Sequence, residues 1–404
     1  MKDRIETGLS ALLQDGRFDG KRIVLWGIGN ATEKMIQWFR KENIAIDCIV
    51  DNFKYEFFET YQGVPVKNPR VLANAPDGVL VLLATHYVKA IRAQLRAYGV
   101  DAVYNLYQMD EMMEEAGCDI PYSFIDRRQG KKILCYILAG YEPDLWDGVL
   151  TRIHAYQDDA IDYCIASSGI KSERLAFLAE QYGWSYVSTE RNQVGYIQNV
   201  VIELHPNAEY IFKLDEDIFI GADFFQRMMA AYQSAAETGE YRINFLAPII
   251  PLNCSSYVSY LKAKGLLADF TQRFGRAYRG RFSAPFSRAD AALYLWSLCR
   301  CFDEETVFFS KNTGYAICDS YYNIGCILYT RERWLLMGKW PQCMDDAGMG
   351  VDEQTILQDG HEKDMAIYEM QGILVGHLGF GPQKVQMKRY YKEHPEVFAI
   401  HRNL

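Results

Sequence analysis

Short runs of consecutive apolar residues recur along the chain, separated by stretches that mix polar residues with apolar ones at helical spacing. A continuous apolar run bounded by turn or charged residues reads as a strand buried on both faces, and the stretches between as covering helices. The first twenty residues read as a short amphipathic helix ending at the turn DGRFDG. A buried strand, Ile23 to Trp26, then runs into Gly27 and Gly29, and Ala31 to Glu42 reads as a helix with Ile36, Trp38 and Phe39 among its apolar positions. The next strand, IAIDCIV, ends in Asp51, 22 residues beyond Gly29. Strand, glycine turn, helix, strand and acid follow one another in the order of a Rossmann unit, although Thr32 stands where a third glycine would complete the fingerprint. The glycines alone account for a tight turn into the helix. GVPV (63–66), the strand Gly78 to Thr85 and a helix from Val88 to Tyr98 complete this first unit.

Between Met109 and Gly130 no periodic apolar pattern survives, which marks a connector. The expected division is therefore residues 1–125, an accessory unit with its connector, and residues 131–404, a second α/β unit. Strands are expected at KILCYILAG, IDYCIASSG and WSYVST, and a helix at SERLAFLAEQYG. RNQVGYIQNVVIELHP leads into another helix. Each loop at the carboxyl end of a parallel strand is a place where open sheets bind ligands. The most informative of these is YIFKLDEDIFI (210–220): a buried strand delivers Asp215, Glu216 and Asp217 between two apolar runs. On an extended backbone Asp215 and Asp217 point the same way, and their repulsion invites a divalent cation. Mg2+ or Mn2+ suits such carboxylate oxygens and keeps positions open for phosphate. A charged turn after a strand is the plain alternative.

Composition narrows the class. The chain has 404 residues and a net charge of −9, against a surface that grips nucleic acid. Ten scattered cysteines lack a CxxC pair, so neither a zinc site nor a disulfide framework is indicated, and reduced thiols in a cytoplasm are expected. No apolar run is long enough to span a membrane, which leaves peripheral attachment at the inner face of a membrane open.

The order strand, Ser167-Ser168-Gly169, helix, strand, Asn192 to Asn199, buried strand and D-x-D resembles the nucleotide-sugar half of a GT-A-fold glycosyltransferase, closest to the inverting family 2. The family loop N-x-G-x-x-x-x-N is matched by Asn192, by Gly195 one place late, and by Asn199. The resemblance implies an α/β fold, a mixed and mostly parallel sheet sandwiched by helices. It implies that Asp215 and Glu216, the first-strand loop Ala139, Gly140 and Tyr141, and Ser167, Arg191, Asn192, Gly195 and Asn199 bind the donor. Ser167 stands near where the family has an aspartate that reads the base, which leaves the base open. The front unit, residues 20–107, is similar to the small Rossmann-like domain of sugar acyltransferases.

Further along, Arg273, Arg276, Arg279 and Arg281 form a basic cluster that is either solvated surface or an anion-binding patch. ETVFFS and YNIGCILYT read as strands. In GMGVDEQTIL, Asp352 and Glu353 follow glycines at a helix start, where capping explains them. The resemblance implies instead that Asp352, or second Glu353, is the general base. It likewise implies that His377, after the strand GILV, completes a metal set with Asp215 and Asp217. Lys384, Lys388 or Arg389 would neutralise the leaving diphosphate, unless the closing segment is an ordinary helix. Together these imply a Mn2+- or Mg2+-dependent hexosyltransferase taking a nucleotide-sugar donor, UDP-linked first, to a glycan, lipid-linked or polymer hydroxyl with inversion. A homo-oligomer stays open. The rivals are a sugar-nucleotide nucleotidylyltransferase and a non-catalytic sugar-nucleotide-binding or scaffolding protein.

Overall fold

The computed structural model describes residues 4–52, 54–74, 77–84, 88–106, 120–252, 255–280, 283–318, 322–341, 351–378 and 383–401. Arg281, the glycines before Val351, the glycine turns after Leu378, Thr85 and the first half of the expected connector lie outside these residues. The chain divides into two compact units, Met1–Asp119 and Ile120–Leu404.

In the first unit, β1 (Arg22–Trp26), β2 (Cys48–Val50), β4 (Val64–Lys67), β5 (Val79–Leu83) and β6 (Val103–Asn105) run parallel, and β3 (Thr60–Tyr61) closes one edge antiparallel. The order is β3-β4-β2-β1-β5-β6. Alternation along β1 sends Ile23 and Leu25 to one core with Met35, Ile36 and Phe39, and Val24 and Trp26 to the other with Ile91 and Leu95. Both faces of the strand are covered, which is why it is apolar without interruption. At its end Gly27 adopts φ 86°, a left-handed conformation that a side chain would strain. Asp51 accepts hydrogen bonds from the backbone N–H of Ile28 (3.1 Å) and of Lys54 (2.8 Å), so its carboxylate braces the glycine turn. Thr32 does similar work, its hydroxyl donating to the Gly27 carbonyl at 2.6 Å.

The second unit is a nine-stranded sheet flanked by helices. Its strands are β7 (Tyr122–Ile125), β8 (Ile133–Leu138), β9 (Ile161–Ser167), β10 (Ser185–Thr189), β11 (Tyr210–Asp215), β13 (Arg242–Ile249), β14 (Tyr315–Cys318), β15 (Cys326–Thr330) and β16 (Met365–Leu374). The order is β14-β16-β13-β15-β11-β8-β9-β10-β7. β8, β9, β10 and β11 are parallel, as are β13 and β16, while β7, β14 and β15 run against them. The sheet is thus mixed and mostly parallel, as the resemblance implied. A separate two-stranded ribbon joins β12 (Ile218–Phe219) to β17 (Gly376–His377).

Two expectations need correcting. Residues 122–125, read above as connector, pair with β10 as an antiparallel edge strand and belong to the second unit. A four-residue edge strand facing water on one side carries no long apolar run to detect. ETVFFS lies within a helix, Phe302–Ser310. Three acids in its first turn favour the helix start, and Phe302 and Phe309 reach the core from positions seven apart.

Candidate active site

The carboxyl ends of β8, β9, β11 and β16 lie on one edge of the second sheet, and the candidate side chains gather there. β11 brings Lys213 and Asp215 to the same face by strand alternation. Lys213, 2% exposed, places Nζ 2.6 Å from Asp215 Oδ1 and donates to the Ile324 carbonyl at 3.0 Å. Burial works against its charge, but Asp215, Asp352 and Glu353 outweigh burial and raise its proton affinity. The strand stops at Asp215, and Glu216 and Asp217 form a turn, so the three acids diverge.

Glu216 is buried and accepts hydrogen bonds from the backbone N–H of Gly140 (2.9 Å) and Tyr141 (3.0 Å) and from the Trp146 indole (2.5 Å). It fastens the loop after β8, and the donor contact expected of it gives way to a positioning role. Asp217 faces His377 across the β12–β17 ribbon, Oδ2 to Nε2 3.2 Å, where Ile218 and His377 are register partners. Burial, then neighbouring Glu216, pushes the Asp217 carboxyl up to about 7. Burial pushes the imidazole of His377 down to about 4, leaving it neutral at ordinary pH. A buried, crowded carboxylate beside a neutral imidazole is a donor pair that suits Mn2+ or Mg2+, since a cation would offset the burial and the repulsion that together raise the carboxyl. Among the described residues no group of three or more His, Cys, Asp or Glu side chains converges as a metal-holding set. Asp215, expected as the third, turns to Lys213 instead. Its carboxyl is nevertheless pushed up to about 6, by burial first and, against the pull of Lys213, by Asp217 and Asp352.

A second focus adjoins the first through the turn before β15. The Ile324 peptide is held from both sides: its carbonyl by Lys213, its N–H by Glu353 Oε2 at 3.3 Å. Gly325 accepts the Asp215 N–H at 2.8 Å, and a Cβ there would crowd Asp215 Oδ2 at 3.2 Å. Asp352, half-buried in the first turn of the helix Val351–Glu362, accepts from Gln198 Nε2 at 3.0 Å. Gln198 in turn accepts from Tyr136 (2.7 Å), whose hydroxyl meets that of Tyr329 at 3.0 Å. Asp352 Oδ1 also accepts its neighbour's N–H at 2.9 Å, so capping and orientation coexist.

The remaining expected donor residues sort by what they touch. Ser167 is fully buried and donates to the Ala139 carbonyl at 2.7 Å. It holds the ends of β8 and β9 together. Asn199, 4% exposed, donates to the Trp340 carbonyl (2.9 Å) and accepts from the Trp340 N–H and the Trp334 indole, both at 3.0 Å. Gly195 allows Pro341 to approach, because a Cβ would collide with its carbonyl. Asn199 and Gly195 therefore seat the Trp334–Pro341 segment. Tyr141, exposed, donates to the Ser168 carbonyl at 2.6 Å, and Arg191 and Asn192 are exposed beside Gly169. Tyr141, Arg191 and Asn192 are thus exposed on the edge, Tyr141 with its hydroxyl engaged. On the helix Lys384–Glu393, Lys384 and Lys388 both pair with buried Glu142, while Arg389 bonds Glu393 on the exposed side, away from that cluster. The basic cluster disperses likewise: Arg273 pairs with Asp269 on the surface and Arg279 with buried Glu369.

Lys213, Glu142 and Gln198 were not foreseen. A lysine inside an apolar run, two places before an aspartate, was a readable signal for the first. The other two depend on packing partners far away in sequence.

The family model described as C2185-like, N-terminal matches residues 19–103, within the first unit. No curated protein matches the chain. Among solved structures, S. aureus TarS 1-349 shares 10% identity at a TM-score of 0.37, over 61% of this chain and 60% of that one. Glucosyl-3-phosphoglycerate synthase from Mycobacterium tuberculosis, in complex with Mn2+, UDP and phosphoglyceric acid, shares 14% at a TM-score of 0.35, over 69% of this chain and 82% of that one. The chain thus spans about three fifths of the length of the TarS fragment. These likenesses are loose, and the chemistry has to come from the side chains above. No helix among the described residues is long and apolar enough to cross a membrane.

Proposed function

We propose that the second unit is a metal-dependent glycosyltransferase of GT-A type, moving a sugar from a nucleoside-diphosphate donor to a hydroxyl acceptor with inversion. One juxtaposition carries this reading. Asp215 feels both Asp217, which pairs with His377 and is itself within electrostatic reach of Lys384, and Asp352, which is held by Gln198. Cationic and metal-binding groups around Asp217 suit a diphosphate leaving group. A separate acid, Asp352, suits a proton acceptor.

In this reading Asp217 and His377 hold a divalent cation, which when bound supplies positive charge against the departing diphosphate. Lys384 and Lys388 share that task. Asp215, fixed by Lys213, keeps Oδ2 for a hydroxyl of the donor. Glu216 sets the height of the Gly140–Tyr141 loop on which the nucleoside rests. Asp352, oriented by Gln198, takes the proton from the acceptor hydroxyl as that oxygen attacks the anomeric carbon from the face opposite the diphosphate. A single displacement inverts the centre.

Titration calorimetry with UDP, GDP and their sugars, with and without Mn2+, tests the donor half. Metal-dependent binding that Asp217→Asn abolishes is expected. Binding of neither nucleotide with Mn2+ present would refute it and favour a scaffold whose site does not load. The first unit, with its Rossmann order and its acid turned to the backbone, is proposed as an accessory docking or regulatory module.

A further inference from the structure

Glu142 is an acid of the site that the mechanism above leaves unused. It follows the Gly140–Tyr141 loop that Glu216 fastens, it is 7% exposed, and it forms ion pairs with both Lys384 and Lys388. These lysines lie four apart on one helix, so they present neighbouring ammonium groups on one face. Asp217 is near enough that Glu142 raises its proton affinity and Lys384 lowers it. Gln383, at the start of the same helix, is 1% exposed, and neither atom of its amide is hydrogen-bonded.

We infer that Glu142 is an internal stand-in for the diphosphate, occupying the two lysines until a donor displaces it and reclaiming them when the nucleoside diphosphate leaves. This inference rests on the proposed function. A single carboxylate carries one negative charge, and a diphosphate more, with several oxygens to share between two ammonium groups, so the lysines exchange partners when donor arrives. Glu142 therefore sets donor affinity downward and product release upward.

Glu142→Gln keeps the shape and removes the charge. With Mn2+ present it is expected to bind UDP and inorganic pyrophosphate about tenfold more tightly than the parent, as for a close charge pair, with slower UDP dissociation in stopped flow. A steady-state turnover limited by release would fall together with the donor KM. Glu142→Asp, which keeps the charge but shortens the reach, reports the same direction more weakly if the glutamine variant does not fold. Equal or weaker binding by a folded variant overturns the inference while leaving the proposed function standing. If the parent protein binds neither UDP nor pyrophosphate, both fall together.

Discussion

Asn199 separates two accounts of the same motif. In the sequence it closes a loop of nucleotide-binding type. In the structure it is buried and bridges the Trp334 indole with both polar groups of the Trp340 peptide. Asn199→Ala would leave an indole N–H, a backbone N–H and a carbonyl without partners. Each unsatisfied buried group costs roughly 1 to 3 kcal/mol. Relaxation of the turn would recover part of this, which leaves a loss of about 3 to 5 kcal/mol. At about 2 to 4 °C per kcal/mol for a unit of this size, the transition should fall on the order of 10 °C. Thermal unfolding of the full chain, followed by tryptophan emission, reads the loss directly because Asn199 binds the indole of Trp334 and the peptide that carries Trp340. Calorimetry with UDP and Mn2+ below both transitions should show an affinity within about threefold of the parent, a difference under 1 kcal/mol. A variant that melts like the parent yet binds UDP far more weakly would refute the bracing role and restore the donor contact.

Other perturbations test the remaining groups. Asp217→Asn and His377→Ala should each weaken Mn2+ binding at least tenfold, about 1.4 kcal/mol, in a titration followed by calorimetry. Equal metal affinity in either would remove that residue from the pair. Asp352→Asn should lower transfer by about 100-fold or more while UDP affinity persists, and Gln198→Leu should lower kcat with donor KM unchanged. Retained transfer in Asp352→Asn would move the base to Glu353 or elsewhere. Glu216→Gln should destabilise the second unit by about 2 kcal/mol, because hydrogen bonds to a charged acceptor are lost, and should alter Trp146 emission. An unchanged melt would refute its clamp. Burial holds the His205 imidazole below its ordinary value, with Nδ1 against the Val201 carbonyl at 2.7 Å. The unfolded chain then binds a proton that the folded one does not, so stability is full above the ordinary histidine value of about 6.5 and declines as pH falls below it. His205→Gln should flatten the dependence of melting on pH in that window, and an unchanged slope would assign it to other groups.

How much of this was legible varies with the kind of residue. The β8 to β11 core was readable because strands covered on both faces are apolar without a break, and Gly183, at φ 72° after the helix Glu173–Tyr182, ends that helix where the pattern stops. The importance of the Asp215–Asp217 segment was readable for the same reason: charge at the end of a buried strand needs an explanation. What local pattern does not encode is which way a carboxylate turns. Asp215, Glu216 and Asp217 are adjacent, yet their partners are a lysine on the same strand, a loop after β8 and a histidine on the last strand. The asparagine and glycine of the helix Val194–Leu204 matched a motif by spacing, but their contacts, with Trp340 and Pro341, lie some 140 residues away and could not be inferred from it. Glu142 was missed for the same reason, its lysines lying near the other end of the unit.

The ribbon that joins β12 to β17 dictates when the protein can become competent during its synthesis. Its two strands, with Asp217 beside one and His377 on the other, are separated by most of the second unit. Arg152 then pins the final segment, donating to the carbonyls of Ile220 (2.8 Å) and Phe398 (2.7 Å), and Phe398 packs on Phe219 with ring centroids 4.7 Å apart. The inner strand β16 ends at Leu374 and β17 begins at Gly376, so a growing chain completes its sheet and its ribbon nearly together. A chain cut short before β16 lacks an inner strand of the sheet as well as the second strand of the ribbon, so it forfeits the closure of the second unit and the Asp217–His377 contact together.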